Sequence, residues 1–568
     1  FGLSPAAADN APAMLRAIAA VRGRGPCRLA LAPGEYHFRS GQEIIFDKLQ
    51  DFELDGQGAR LVFSAASARQ LVTILDCERV AFRNLTIDWD WGRDPLASVV
   101  KVESVGADAR SAVFRFVDYE AFPRSPRFRV ADLVRIDPAT RENDLQRPCS
   151  VWVEFFRGRR APEKLEVEGN RLTVAAATPL FGQLAPGEFF RMRHSTYDHN
   201  GLNLINNREL TLANVHVASA PGVGVLVGGA QRSWQFLNVR IAPPAGDPRR
   251  ALGTTADCLH VQCSAGRFLM DGCEIGYGGD DAVNIHDLSG YGEPLDRHRL
   301  LANNLNSHPG GYYRPGDPIE LRHADFSPTG FVAKLKEAGP YQRPLQELVF
   351  AEELPEPHGG GFVIFNHAYG CRDVRIRNCR FHHFTRAILL MAKNVTIEGC
   401  EFRDGNAAGI KMETGYTVNA WSEGYGVENV VIRGNVFERV NRRGRYPNEN
   451  RPDIYINGYM RSDPTLLKPA YPVIRDVLIR DNLFQESTGA PVFACTAARV
   501  TVCNNVFRNL APCPLSEPWR GVVGASHARD VAVLNNGWQG SDLAPLGGLV
   551  YDPLSVSGAV CAGNAFGR

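Results

Sequence analysis

The segment GYGGDDAVNIHD, Gly276 to Asp287, sets two aspartates side by side, Asp280 and Asp281, between glycines and an apolar strand that ends in His286. A second segment, TTADCLHV, sets Asp257 before another apolar strand, 23 and 24 residues upstream of the pair. Adjacent carboxylates repel, so such a group needs a cation, an arginine, loop amides, or a reaction that uses several acids at one place. One reading is a calcium site, or a corner carboxylate bonded to loop amides. The other is general acid–base cleavage of a glycosidic bond, in which one carboxylic acid protonates the leaving oxygen and a second carboxylate activates water. Mutual repulsion would raise one pKa and supply the acid near neutral pH.

Other residues could join these three. His260 follows Asp257 by three positions and His286 follows Asp281 by five, and either could donate a hydrogen bond to a hydroxyl. Glu413 in IKMETGY, and Trp421 with Glu423 in NAWSEGYG, lie in irregular chain after a repeat; a tryptophan there could stack on a sugar ring. Cys258, His260 and Cys263 resemble zinc ligands only superficially. They lack a fourth partner, and alternation along a strand would scatter them.

The elements that position these groups follow from a short pattern that keeps returning. It is clearest as VRIRNCRF from Val374, VTIEGCEF from Val395, VVIRGNVF from Val430, VLIRDNLF from Val477 and VTVCNNVF from Val500. Weaker copies start at Val80, Leu210, Trp234, Phe268 and Val531. Neighbouring copies stand 21 residues apart at Val374 and Val395, and 23 apart at Val477 and Val500. Short alternating strands at that period, with Asn, Gly or Cys at the bends, predict an all-β chain coiled as a right-handed parallel β-helix. Stacked coils would let Asn435, Asn482 and Asn505 form a ladder. A leucine-rich repeat would need a helical half that is missing. The one clear helical run, Asn10 to Arg22, is expected to cap an end of the solenoid.

Coils stack ~4.8 Å apart, so an interval of one coil places Asp257 on the rung beside Asp280 and Asp281, with all three on one outer face. Both members of the pair can face outward only if the chain turns there, which Gly278 and Gly279 would allow.

Two stretches interrupt the rhythm with strand-like but non-coil sequence, and both read as inserted small antiparallel β-modules. The expected organisation is a cap helix and first coils over 1–99, a barrel-like module over 100–190, and coils carrying the acidic trio over 191–307. A second module over 308–362 and further coils over 363–568 complete it. Similar approaches, VADLVRI and PGDPIEL, hint that the modules are related.

Bulk composition excludes several classes. The chain has 568 residues with 63 basic and 62 acidic side chains, a net charge of +1, so nothing favours nucleic acid or an anionic membrane. No apolar run approaches the length of a membrane span. Thirteen cysteines are spread without CxxC pairs and read as small buried residues. The chain starts at Phe1 rather than methionine, which suggests a trimmed N-terminus and a secreted or periplasmic location.

At the residues quoted above the chain resembles the β-helical glycoside hydrolases, and most closely glycoside hydrolase family 110, the exo-acting α-1,3-galactosidases. The resemblance covers most of the chain. It includes LALAPGEYHF, NLTIDWDWGRDPLASVVKV, VASAPGVGVLV, the D-D-x-x-N-x-H of Asp280 to His286, and the W-x-E of Trp421 to Glu423. It implies two inserted β-barrels and inverting catalysis by Asp257, Asp280 and Asp281. His260, Asn284, His286, Glu413, Trp421 and Glu423 are expected as sugar contacts. The polygalacturonases carry a similar acidic trio; by analogy with them, Asp280 is expected as the acid and Asp257 with Asp281 as the water-holding base pair. Glu413 or Glu423 is the alternative acid.

The expected activity is therefore removal of a terminal α-linked sugar, α-1,3-galactose first, from a glycan or oligosaccharide. No metal or other cofactor is expected, and a homo-oligomer is left open. A polysaccharide lyase or an endo-acting polygalacturonase-like hydrolase is one alternative. A lyase usually needs a basic residue or calcium, and the site reads as acidic without a neighbouring Lys/Arg cluster. A non-catalytic carbohydrate-binding β-helix is another, and it would have no use for three carboxylates on adjacent rungs.

Overall fold

The computed structural model describes residues 1–64, 70–117, 129–144, 147, 149–154, 162–247, 250–303, 313–358, 360–418, 422–440, 452–460, 467–487, 490–509, 523–539 and 548–566. It is a right-handed parallel β-helix interrupted by two antiparallel modules. The helical run folds as Ala11–Val21 and buries Ala11, Met14, Ala17 and Ile18 against the first coils. No helix of the described residues is long and apolar enough to cross a membrane.

The repeat works through its corners. In each strong copy the residue before the Cys or Asn takes a left-handed backbone: Asn378, Gly399, Gly434, Asp481 and Asn504 all have positive φ, as does Asn535 in the copy from Val531. Only Gly, Asn and Asp enter that region cheaply, which is why those types recur there. The next residue turns inward. Asn435, Asn482 and Asn505 form the expected ladder, each side-chain amide donating to the next carbonyl oxygen at 2.9 to 3.0 Å, and it extends through Asn536 to Asn564. In earlier coils Cys273, Cys379 and Cys400 hold the same register, and the Cys400 N–H donates to Asn435 Oδ1 at 2.8 Å. The closing aromatics stack as Phe381, Phe402, Phe437, Phe484, Phe507 and Trp538, with ring centroids 4.2 to 5.0 Å apart. Nine of the twelve described cysteines are buried and all twelve are thiols.

One sheet of the solenoid carries the candidate site. Its strands include Leu259–Gln262, Val283–His286, Ile388–Leu390, Ile410–Tyr416 and Ile454–Tyr459, paired in parallel. Val261, Ile285, Leu390, Met412 and Ile456 form one inward column. His260, Asn284, Leu389, Lys411 and Tyr455 form the adjacent outward column. Strand alternation thus separates core from site.

The modules depart from the expected boundaries and shapes. The first is a seven-stranded sheet whose strands run from Ala97–Val105 to Phe189–Arg193; among the described residues it is open rather than a closed barrel. The second is a closed six-stranded barrel from Gly290–Pro294 to Phe362–Asn366, so it opens well before residue 308. Its first strand reads GYGEP, with two glycines, a proline and no alternation, and is held by pairing with Phe362–Asn366 across the barrel. The two modules therefore share no closure.

Candidate active site

Asp257 leads into Leu259–Gln262, and Asp280 with Asp281 into Val283–His286, on neighbouring rungs. The Cys258 N–H donates to the Asp281 carbonyl at 2.9 Å, and the Asp281 N–H donates to Asp257 Oδ1 at 3.0 Å. One oxygen of each of the three carboxylates lies within 4.8 Å of the others. The coil thus brings together the trio that the spacing indicated.

The turn before the pair has a different origin from the expected one. Tyr277 takes the left-handed backbone, with φ 57°, and stacks on His383 at 4.5 Å. Gly278 and Gly279 are needed for room. A Cβ at Gly278 would come 2.7 Å from Cys258 Sγ, and one at Gly279 would run into the Thr255 carbonyl and the Arg193 guanidinium.

The three carboxylates do not share one open face. Asp257 and Asp281 are buried, at 2% and 1% exposure, whereas the Asp280 side chain is 28% exposed. Asp281 turns to Arg386, one rung further on, whose Nε and Nη2 donate to its two oxygens at 2.5 and 2.9 Å. The same Nη2 stands 3.8 Å from Asp280 Oδ1. Tyr197 donates its hydroxyl to Asp280 Oδ2 at 3.0 Å. Arg386 corrects the view of an acidic site without basic neighbours, as does Lys411, 2.8 Å from Glu413. Both lie far from the aspartates in sequence, and only the coil register reveals them.

Burial, more than the expected mutual repulsion, sets the proton affinities. It pushes Asp257 well above the ordinary carboxylate range, with the Asp280 charge adding to the effect. It pushes Asp281 up to about 7, against the opposing pull of Arg386. His260 Nδ1 lies 2.5 Å from Asp257 Oδ2, and its Nε2 lies 2.9 Å from His286 Nε2. Burial lowers both rings to about 4. The two histidines bond each other, and His260 bonds Asp257 of the trio.

Further along the face, Asn457 Nδ2 donates to Glu413 Oε2 at 3.1 Å, and Lys468 Nζ donates to Asn457 Oδ1 at 2.5 Å. Burial would lift the Glu413 carboxyl, but Lys411, helped by Arg386 and Asn457, holds it below the usual glutamate value. Glu423 lies in the short strand Ser422–Glu423, which pairs with Gly415 and Tyr416 and bridges to Leu288. Burial raises its carboxyl despite the nearby His286. Asn284 stands between His260 and Leu389 with its buried Oδ1 unpartnered. Trp421 lies outside the described residues.

The trio has the compactness of a cation site. Each buried oxygen already has one partner, Arg386 at both Asp281 oxygens and the Asp281 N–H and His260 at the two oxygens of Asp257. Arg386 supplies the counter-charge a metal would bring. Cys258 is buried in the coil while His260 points outward, so the C-x-H-x-x-C spacing gathers no ligand set.

One family model agrees with this architecture: it is described as "Right handed beta helix region" and matches residues 359–458. The "Alpha-1,3-galactosidase B" of Bacteroides thetaiotaomicron is 23% identical over 550 residues, covering 89% of this chain and 85% of that protein. The "Alpha-1,3-galactosidase A" of Bacteroides fragilis is 21% identical over 478 residues, covering 82% and 75%. Among solved structures, the family 28 exopolygalacturonase of Yersinia enterocolitica aligns loosely, with a TM-score of 0.40 at 11% identity over all of this chain and 76% of that one. By sequence the chain is a relative, across most of its length, of proteins named alpha-1,3-galactosidase.

Proposed function

We propose that the chain is a glycoside hydrolase that removes a terminal α-linked sugar, α-1,3-galactose first, from the end of a glycan, with inversion at the anomeric carbon. The observation that carries this reading is the trio itself. One solvent-facing carboxylate, Asp280, stands within 4.8 Å of two buried ones, Asp257 and Asp281, whose proton affinities are raised. Asp281, pushed by burial up to about 7, can both hold and accept a proton near neutral pH. The names of the relatives point to the sugar and the linkage.

In this mechanism Asp280, the open member, gives its proton to the leaving oxygen. Asp281, kept in place by the Arg386 fork, takes a proton from the water that attacks the anomeric carbon from the opposite side, and Asp257 helps to hold that water. The unpartnered Asn284 Oδ1 accepts a hydrogen bond from a sugar hydroxyl. Exo action is supported by closure of the face beyond the trio. Ile410–Tyr416 and Ile454–Tyr459 are buried along their whole length, outward residues included. The second module leans in there, with the Tyr416 hydroxyl donating to the Ala324 carbonyl at 2.9 Å. Among the described residues this leaves no open groove for a polymer to thread through.

A second assignment of the acid has its own support. Inverting enzymes usually hold acid and base ~6.5–9.5 Å apart, and the trio is tighter than that. Glu423, raised by burial, is the acid in that case; Glu413, held ionised by Lys411, is not. A lyase is disfavoured because Arg386 and Lys411 each already neutralise a carboxylate of the site. With the hydrolase reading we propose a periplasmic or secreted location, where a glycan substrate would be met.

The test is incubation with an α-1,3-galactosyl oligosaccharide and, in parallel, with a uronate polymer. Galactose should appear from the first and no unsaturated product from the second. Ultraviolet absorbance growing with the polymer, or no turnover of any terminal α-galactoside, would defeat the reading.

A further inference from the structure

The solenoid has no structural need of its first insertion. Leu202–Ile205 pairs with Val72–Leu75, and Arg208–Val217 with Glu78–Trp89, so the coils before and after the module are direct neighbours. The chain leaves the coil, builds seven strands, and returns to the same register. What it carries back is Arg193, the last residue of Phe189–Arg193, with its side chain 2% exposed.

We propose that Arg193 is the positioning residue through which the first module sets both acid-bearing loops, a role that rests on reading Asp257, Asp280 and Asp281 as the reacting carboxylates. Its Nε and Nη2 donate to the two oxygens of Asp132 at 2.7 and 2.6 Å, and the two residues stand opposite each other in adjacent strands. Its Nη1 donates to the Thr255 carbonyl at 2.5 Å and the Gly279 carbonyl at 3.2 Å. Thr255 is two residues before Asp257, and Gly279 directly precedes Asp280. One planar cation therefore ties the module to both loops, and the Trp152 ring covers it at 5.1 Å.

Residue chemistry fits this role. Only arginine offers a rigid fork together with further donors at fixed angles; the single nitrogen of a lysine could not span the Asp132 carboxylate and both loop carbonyls. The bare Cα of Gly279 lets its carbonyl approach the guanidinium, since a Cβ there would occupy the same space. A buried ion pair adds little net stability compared with apolar packing, so its value here is geometric. Tyr197, four residues on, completes the brace by donating to Asp280 Oδ2.

The experiment compares Arg193→Lys with the unaltered full chain by hydrogen exchange and by kinetics on an α-1,3-galactoside. Peptides covering 253–258 and 277–283 should exchange about tenfold faster in the variant, while the Asn482–Asn505 coils stay unchanged. With the loops misplaced, kcat should fall about 10- to 100-fold while KM stays within about twofold. Asp132→Asn, which loosens the fork but keeps the cation, should move the same peptides less and carries the test if Arg193→Lys does not fold. Loops that exchange as before, acceleration spread equally over all coils, or a rise in KM that accounts for the loss overturns the proposal. If the unaltered protein releases no galactose, the hydrolase reading falls, while the exchange pattern still decides whether Arg193 holds the loops.

Discussion

Asp257 Oδ2 and His260 Nδ1 stand 2.5 Å apart, and that contact places a proton. His286 Nδ1 faces the Asp287 carbonyl at 3.3 Å, an acceptor only, so it carries hydrogen. In the neutral ring His286 Nε2 then accepts from His260 Nε2, which leaves His260 Nδ1 bare and able only to accept from a protonated Asp257. Burial favours this neutral arrangement at every member, raising Asp257 and lowering both rings. Nitrogen NMR at pH 7 should find His260 as the Nε2–H tautomer and His286 as the Nδ1–H tautomer, both uncharged. A cationic pair at that pH would refute the placement.

The buried groups also set how stability depends on pH. His194, His260 and His286 are lowered to about 4, so they contribute stability that is lost as the pH falls from their unfolded value of ~6.5 towards 4. Asp281 and Asp287, raised to about 7, and Asp257 and Asp453, raised well above the usual range, act in the opposite direction. Their stability is present below an unfolded value of ~3.9 and is lost as the pH rises through the folded values. Above ~6.5 the histidines no longer compensate. Thermal melts should therefore show a Tm that falls from pH 6.5 to pH 8, and a rise over that interval would contradict these assignments.

Arg386 is the counter-charge for a carboxylate that is only 2% exposed. Replacing it by methionine leaves Asp281 buried without a partner and should cost about 3 kcal/mol. Adding Asp281→Asn should restore part of that loss without restoring activity. Urea titration of the single and double variants checks this; a double variant less stable than Arg386→Met would show that the pair is not the source of the loss.

The corner ladder predicts a purely structural effect elsewhere. Asn482 Oδ1 accepts from the Asn435 side chain and backbone N–H at 3.0 Å, and its Nδ2 donates to the Ile432 carbonyl at 3.0 Å. Asn482→Ala should destabilise by about 1–3 kcal/mol through the groups left unsatisfied. Asn482→Cys should cost less, because cysteine holds that register at Cys273, Cys379 and Cys400. Neither change should alter kcat at a temperature where the variant is folded, and an equal loss for Ala and Cys would count against the ladder as the cause.

The coil was legible because its corners demand particular residues: a left-handed Asn, Gly or Asp, then an inward Asn or Cys, then an aromatic that stacks. The acidic trio was legible because its members lie one uninterrupted coil apart. Arg386 was hidden because the barrel between it and Asp281 stretches one rung of the coil over 105 residues of sequence. Arg193 and Tyr197 were hidden for a related reason: they reach the site from the end of an insertion whose strands obey a different period. The position of the turn at Gly278 and Gly279 is legible in the sequence and its cause is not: Tyr277 takes the left-handed backbone, and the glycines make room for neighbours. Lys411 could have been found by extending the His260 and Asn284 register two rungs further.

Roles within the site separate with leaving-group chemistry. If Asp280 is the acid, Asp280→Asn should slow a natural disaccharide about 10²–10⁴-fold and an activated aryl galactoside far less, since that leaving group needs little protonation. Asp281→Asn, removing the base, should slow both alike. If instead Glu423→Gln spares the aryl substrate and Asp280→Asn does not, the acid is Glu423.

The most direct test of the account is the anomer first released. Proton NMR of an α-1,3-galactosyl substrate, recorded within the first minutes of reaction, should show β-galactose appearing ahead of mutarotation. Release of α-galactose first, or no release of galactose at all, would contradict an inverting exo-glycosidase built on Asp257, Asp280 and Asp281.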